Sequence, residues 1–166
     1  VISMSLIHQS FYQSSNLTDV DFTAYMRKLV DNLFNIFGVK KDKVNLELSS
    51  PAYKIGIDIA IPLGLMVNEI LSNSFKYAFP DDKKGSIIID LSESNERFRL
   101  IIGDDGRGMP HDINIETSSS MGMTLIRMLC DQLDAELVIT SDKGTVYELE
   151  FAAKDYKDRL KDIKRE

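Results

Sequence analysis

The chain has 166 residues, 43% of them hydrophobic and 28% charged, with a formal net charge of −6. These proportions describe a globular protein with one sizeable core, and the acidic balance excludes a general binder of DNA or RNA, which would need a basic face. The single cysteine, Cys130, excludes an internal disulfide, no Cys/His cluster has metal-ligand spacing, and no apolar run is long enough to cross a membrane. Because no signal peptide is visible, the sequence predicts a cytoplasmic location and leaves membrane attachment of a full-length protein open.

Apolar residues at helical spacing predict three helices in the first half of the chain. Asp21 is a suitable N-cap for the second helix, and Gly38 ends it. Pro62 falls in the first turn of the third helix, where proline is tolerated. The predicted elements are a helix in residues 1–14, a helix in 22–38, a strand at Val44–Leu48 and a helix from about Ile59 to about Tyr77.

The second half of the chain alternates strand pairs with one helix and one long loop. The predicted elements are strands Ser86–Leu91 and Arg97–Asp104 joined by the link 92–96, a loop at 104–120, a helix at 121–134, and strands 135–141 and 145–151. Loops as long as 104–120 are usually functional. This order predicts an α+β fold, a two-layer sandwich with helices on one face of a mixed, mainly antiparallel sheet.

The third predicted helix carries a polar stripe. On a helical wheel that turns about 100° per residue, Glu69, Asn73 and Lys76 share one narrow arc, while the apolar residues occupy another. A carboxylate can orient water, an amide oxygen can ligate Mg²⁺, and an ammonium group can neutralise phosphate. The stripe therefore suits a nucleoside triphosphate, and the alternative is an ordinary solvated face.

Three Gly-containing stretches add further candidate contacts. Asp104 ends an apolar strand and is followed by Gly106 and Gly108, so its carboxylate can accept a hydrogen bond from an adenine amine while the glycines allow close approach of a ring. Gly122 follows Ser118–Ser120 at a helix start, a site that favours phosphate. Thr145 opens the last strand after a glycine. Taken singly, these are a turn, an N-cap and a hairpin turn.

Taken together, the four stretches resemble the N box, the two glycine boxes and the closing Gly-Thr of the ATP-binding fold shared by histidine kinases, gyrase and related ATPases, the Bergerat-type fold. The resemblance covers Asp21 to Phe151. The segment "IPLGLMVNEILSNSFKYAFP" is similar to a histidine kinase subgroup in which Pro-Leu-Gly-Leu leads into Asn-Glu-Leu, with Ile70 in place of the leucine.

The resemblance implies a role for each site residue. Glu69 is the catalytic carboxylate, either base-like or water-orienting, Asn73 is the ligand of Mg²⁺, and Asp104 binds the adenine amine of ATP. The segment Met109–Ser120 is a lid over the nucleotide, and positioning with charge neutralisation drives phosphoryl transfer. The remaining implied nucleotide contacts are Lys76, Tyr77, Gly106, Gly108, Gly122 and Thr145.

Two departures from the family pattern concern the lid and the phosphate acceptor. The second glycine box holds one glycine, Gly122, where many relatives carry more, and the lid is short. The chain has only two histidines. His111 reads as an exposed loop residue. His8 shares a helical face with Met4, Phe11 and Tyr12, which suits a packed or interface residue. The first helix also resembles the second helix of a dimerisation hairpin, whereas the acceptor belongs on the first. The predicted domains are the end of this hairpin (1–20), the ATP-binding catalytic domain (21–153) and a charged tail (154–166).

The leading hypothesis is the catalytic domain of a two-component sensor histidine kinase that transfers the γ-phosphate of ATP to a histidine outside this fragment. Its implied partners are the acceptor-histidine hairpin of the same or a partner protomer and a downstream response regulator, with a homodimer in the full-length protein. A serine kinase of the same fold that regulates a sigma factor is an alternative, against which the first helix argues. A nucleotide-gated interaction module without phosphate transfer is the other, and the set Glu69, Asn73 and Lys76 argues against it.

Overall fold

The computed structural model describes residues 19–40, 42–50, 54–80, 83–109 and 120–152. The predicted first helix, most of the predicted lid and the charged tail lie outside these residues. The boundaries between the three predicted domains therefore stay predictions.

The described residues form a five-stranded sheet, a two-stranded ribbon and three α-helices, one of which continues as a π-helical segment. Their bounds are β1 (Asp19–Asp21), α1 (Phe22–Phe37), β2 (Val44–Ser49), β3 (Lys54–Gly56), α2 (Ile57–Asn73), the π-helical segment (Ser74–Ala78), β4 (Gly85–Ser94), β5 (Arg97–Asp104), α3 (Met121–Leu133), β6 (Glu136–Thr140) and β7 (Thr145–Ala152). Within the described ranges, none of the helices is long and apolar enough to span a bilayer.

The main sheet has the strand order β2-β4-β5-β7-β6. Strands β2 and β4 run parallel because α2 carries the chain across between them, whereas the other neighbouring pairs are antiparallel. Strands β1 and β3 form the separate antiparallel ribbon. The predicted α+β class, with a mixed and mainly antiparallel sheet, is confirmed.

The core lies between the helices and one face of the sheet. Alternate residues of the central strands point into it, and the helices contribute their apolar stripes. The opposite face carries charged rows, in which Arg99 pairs with Glu148 and Arg97 with Glu150. Wholly buried residues of the inner face include Ile87, Ile89, Leu100, Ile102 and Leu149. The molecule is therefore a two-layer sandwich in which one sheet face is covered.

Helix α1 begins and ends at the predicted residues. The side chain of Asp21 accepts a hydrogen bond of 2.9 Å from the backbone N–H of Ala24, which makes it the N-cap. Gly38 follows the last turn with φ +63°, the left-handed conformation that glycine adopts without strain.

Helix α2 differs from the prediction at both ends. It begins at Ile57, directly after the unpredicted strand β3, so Pro62 is its sixth residue and not part of the first turn. At Ser74 the α-helix changes into the π-helical segment, which ends at Ala78. The π-helical hydrogen bonds run from residue i to i+5, so the wheel that placed Lys76 beside Glu69 does not extend past Asn73.

The link between β4 and β5 is also shorter than predicted. Instead of the five residues 92–96, only Asn95 and Glu96 form the turn, with φ of 53° and 63°. Two central residues with positive φ suit a tight hairpin whose twist matches that of the strands. Both strands therefore continue further than their apolar residues indicated.

Candidate functional site

A cavity of about 490 Å³ opens between α2, the ends of the central strands and the start of α3. Its volume lies in the range of small-molecule sites. Helix α2 and the π-helical segment supply Glu69, Asn73, Ser74 and Tyr77; strands β5 and β7 supply Asp104, Thr145 and Tyr147; the start of α3 supplies Ser120, Gly122 and Met123. The cavity thus brings together residues from all four stretches that the sequence analysis singled out.

Asp104 is a buried carboxylate at the end of β5, with 6% of its surface exposed. Its Oδ2 accepts a hydrogen bond of 2.6 Å from the hydroxyl of Ser74, and its Oδ1 accepts one of 3.0 Å from the backbone N–H of Gly106. A carboxylate oxygen can accept more than one hydrogen bond. Asp104 is therefore fixed in orientation by the protein and retains acceptor capacity for a ligand amine.

Glu69 and Asn73 lie one turn apart on α2 and face the start of α3. A Cβ atom built on Gly122 would lie 3.7 Å from Nδ2 of Asn73 and 3.8 Å from the carboxylate of Glu69. The α3 start is capped by Ser120, whose Oγ accepts a hydrogen bond of 3.3 Å from the N–H of Met123. This end of the cavity combines an acidic side chain, an amide and a helix N-terminus, and the helix N-terminus favours anionic ligand groups.

Lys76 and Tyr77 are both exposed, but only Tyr77 belongs to the cavity wall. Tyr77 lines the cavity. The ammonium nitrogen of Lys76 lies 5.8 Å from the centre of the Phe37 ring, at cation–π distance, and Lys76 is not part of the cavity wall. The π-helical segment explains the difference, since it changes the direction of residues after Asn73. The proposed contact of Lys76 with phosphate stays a prediction and requires its side chain to leave Phe37.

Two glycines permit close approaches that build the wall around Asp104. Gly106 is packed against the π-helical segment, where an added Cβ would lie 2.5 Å from both the Cβ and the carbonyl oxygen of Ala78. Gly144 has φ +92°, and an added Cβ would lie 1.9 Å from the carbonyl oxygen of Asp104. Gly108, with φ +75°, lines the cavity itself.

Sequence reasoning missed three polar residues that line the cavity: Ser74, Arg107 and Tyr147. Ser74 follows Ile70 by four positions, so a polar residue on the apolar side of α2 was the available signal. Tyr147 follows Thr145 by two positions, which puts both on the same face of β7. Burial and, second, the charge of Asp104 raise the pKa of Tyr147 to about 12. Arg107 carried no signal beyond its place between two glycines.

Comparison with known proteins assigns the chain to a family. The sequence profile described as the histidine kinase-like ATPase domain matches residues 23–151, and a second profile, described as histidine kinase, matches residues 1–37. The chain belongs to the histidine kinase-like ATPase domain family. The family predicted from the four stretches is thereby confirmed, while the subgroup drawn from "IPLGLMVNEIL" stays a prediction.

Curated relatives and solved structures agree with this assignment. The chain is 29% identical over 141 residues to blue-light-activated histidine kinase 2 of Erythrobacter litoralis, covering 84% of this chain and 40% of that protein. It is 26% identical over 145 residues to the sensor histidine kinase PdtaS of Mycobacterium tuberculosis, covering 82% and 27%. The chain thus spans less than half the length of these relatives.

Among solved structures, the histidine kinase domain of the Erythrobacter litoralis EL346 blue-light-activated kinase is similar with a TM-score of 0.83 and 25% identity, covering 97% of this chain and 76% of that one. The Acinetobacter baumannii histidine kinase AdeS is similar with a TM-score of 0.62 and 12% identity, covering 93% and 77%. The second likeness concerns the fold alone.

Proposed function

We propose that this chain is the ATP-binding catalytic part of a two-component sensor histidine kinase, and that it transfers the γ-phosphate of ATP to a histidine outside the chain. The observation that carries the proposal is the buried, pre-oriented carboxylate of Asp104 at one end of a cavity that has Glu69 and Asn73 at the other. Membership of the histidine kinase-like ATPase domain family supports it.

At one end of the cavity, Asp104 binds the exocyclic amine of adenine. Ser74 and the N–H of Gly106 occupy one acceptor position on each carboxylate oxygen, which leaves the others for the ligand. Thr145 closes this side, and the two glycines shape the pocket: Gly106 packs closely on Ala78, and Gly108 lines the cavity. Because the carboxylate is held before the ligand arrives, little ordering is required on binding.

At the other end, the residues fit Mg²⁺ bound together with a triphosphate. No group of three His, Cys, Asp or Glu side chains that could hold a metal occurs in the described ranges. Mg²⁺ usually needs no such cage, since one or two protein ligands, water and substrate phosphates complete its coordination. Asn73 is the proposed protein ligand, and the bound ion would neutralise charge on the phosphates. Gly122 leaves room for phosphate oxygens beside Asn73 and Glu69.

Glu69 is the proposed catalytic residue. Its carboxylate lies one turn from Asn73 and faces the start of α3, so it is next to the proposed triphosphate end of the cavity. There it would orient or deprotonate the attacking group as a base-like carboxylate or through water. Lys76 and Tyr77 would add phosphate or ribose contacts on the open side.

The proposal also includes protein partners: an acceptor-histidine hairpin and a response regulator. The acceptor hairpin of the same or a partner protomer would bring its imidazole to the open side of the cavity, and a response regulator would then take the phosphate. A homodimer of the full-length protein and a cytoplasmic location belong to the same proposal. The profile match over residues 1–37 supports a dimerisation segment next to the catalytic domain.

Calorimetric titration with ATP tests the nucleotide site. We expect binding in the presence of Mg²⁺, weaker binding with a chelator, and a loss of about ten- to a hundredfold in Asp104→Asn, because a hydrogen bond to a charged acceptor is removed. Asp90→Asn is the matched control: Asp90 lies on the neighbouring strand β4 but on the outer face. Equal affinities of Asp104→Asn and the wild type would contradict the adenine site.

A transfer assay tests the reaction itself. The chain is incubated with γ-labelled ATP and a separately expressed acceptor-histidine hairpin, and the label on the hairpin is then exposed to acid. Acid-labile label that disappears in Glu69→Gln supports histidine phosphorylation, whereas acid-stable label would indicate a serine kinase. ATP binding without any transfer would favour a nucleotide-gated interaction module.

A further inference from the structure

Tyr147 contributes a phenol to the same end of the cavity as Asp104. In the register of β5 and β7, Asp104 lies opposite Thr145, and Ile102 lies opposite Tyr147. Tyr147 therefore lies diagonally from Asp104, two positions along the neighbouring strand, a separation that an aromatic side chain can span. Tyr147 faces the covered side of the sheet, is 4% exposed and lines the cavity.

The phenol of Tyr147 is neutral and available. Burial, with a smaller contribution from the charge of Asp104, raises its pKa to about 12, so it keeps its proton at neutral pH. Within the described ranges, no hydrogen bond connects its hydroxyl to another residue, and its oxygen is not among the buried polar atoms that lack a partner. Because the Tyr147 side chain lines the cavity, its hydroxyl can donate its hydrogen to a ligand atom bound there.

We infer that Tyr147 is a specificity-determining residue of the nucleotide site, whose hydroxyl donates a hydrogen bond to a ring nitrogen of adenine beside the exocyclic amine. Asp104 and Tyr147 then form a matched pair, an acceptor for the amine and a donor for the adjacent nitrogen. This inference rests on the proposed ATP site and names the groups that select its base.

The donor–acceptor pattern of the pair fits adenine better than guanine. Adenine offers an amine donor at C6, flanked on either side by the acceptors N1 and N7. Guanine offers a carbonyl oxygen at C6, which would face the carboxylate of Asp104 and leave it without a donor. A site whose buried polar groups are unpaired by the wrong ligand discriminates strongly against that ligand.

The first experiment compares Tyr147→Phe with the wild type in calorimetric titrations with Mg-ATP. We expect ATP to bind about three- to tenfold more weakly, the effect of one neutral hydrogen bond. Tyr25→Phe is the matched control, because Tyr25 is also 4% exposed but lies on α1 away from the cavity. Unchanged ATP affinity in a folded Tyr147→Phe would overturn the inference.

The second experiment identifies the ligand atom with 1-deaza-ATP and 7-deaza-ATP, each of which lacks one of the two ring nitrogens. We expect the wild type to bind one of them about three- to tenfold more weakly than ATP, and Tyr147→Phe to bind that analogue and ATP equally. A wild type that binds both analogues as tightly as ATP overturns the inference without any variant. If the wild type binds no ATP, the proposed function fails together with this inference. If the wild type and Tyr147→Phe bind ATP equally, only this inference fails.

Discussion

The hydroxyl of Ser74 and the carboxylate of Asp104 are 2.6 Å apart, and this hydrogen bond joins the π-helical segment to the end of β5. Both residues are buried. The same hydroxyl lies 3.2 Å from the carbonyl of Ile70, so its single proton is directed mainly to the nearer, charged acceptor. The helix that carries Glu69 and Asn73 is thereby connected to the residue proposed to bind adenine.

Replacing Ser74 by alanine should weaken nucleotide binding. Without the hydroxyl, Oδ2 of Asp104 loses its protein donor and the carboxylate is free to rotate away from the ligand. We expect about three- to tenfold weaker ATP binding in calorimetric titration, with a small loss of stability. Ser72→Ala on the same helix is the control, since Ser72 does not line the cavity. Equal ATP affinity of Ser74→Ala and Ser72→Ala would contradict the positioning role.

Replacing Gly122 by alanine should weaken ATP binding without destabilising the fold. The added Cβ makes only ordinary contacts, 3.7 Å from Asn73 and 3.8 Å from Glu69, and alanine favours the helix that glycine weakens. We expect an unfolding midpoint at or above that of the wild type. We also expect the variant to lose more affinity for ATP than for adenosine, because the methyl group occupies space for the phosphates. Thermal unfolding and titration with both ligands check this. An equal loss of affinity for adenosine would show that the substitution does not act at the proposed phosphate end of the cavity.

Replacing Gly144 by alanine should destabilise the fold. At φ +92° an L side chain is strained, and its Cβ would lie 1.9 Å from the backbone oxygen of Asp104, which cannot move without disturbing β5. Gly38→Ala is the control, since Gly38 also has a positive φ of +63° but nothing within 4 Å of an added Cβ. We expect about 1 kcal/mol of lost stability for Gly38→Ala and about 3 kcal/mol or more for Gly144→Ala. Similar urea-unfolding free energies for the two variants would show that the backbone contact relaxes.

The overall fold could be predicted because hydrophobic periodicity dominates it. Alternation in the strands and the cap residues Asp21 and Gly38 act locally, so the sequence reports them directly. Strands β1 and β3 have three residues each and owe their existence to pairing with one another, which a local pattern does not reveal. The start of α2, and with it the place of Pro62, follows from that pairing.

The site was predictable to the extent that its residues keep a regular helical or strand periodicity. Glu69 and Asn73 face the cavity as the helical wheel indicates, and Asp104 ends its strand there. Lys76 lies elsewhere because the π-helical segment interrupts the 3.6-residue repeat. Ser74 looked like an ordinary helix residue, since only its tertiary contact with Asp104 shows its importance.

The thiol of Cys130 should be unreactive in the native protein. It is buried on α3, with its Sγ 4.0 Å from the Sδ of Met66, and burial together with the charge of Asp131 raises its pKa from 9.0 to about 11. A raised pKa means less thiolate, so at pH 8 the thiolate fraction falls about a hundredfold from its unperturbed value.

We expect labelling of Cys130 by a thiol reagent at pH 8 to be at least about a hundredfold slower in the native protein than in urea-unfolded protein. The native rate should rise tenfold per pH unit until about pH 11. Because the folded state holds the proton more tightly, the thiol's contribution to stability is complete below pH 9 and is lost as the pH rises towards 11. Cys130→Ala supplies the blank, and native labelling as fast as that of the unfolded chain would contradict the burial of this thiol.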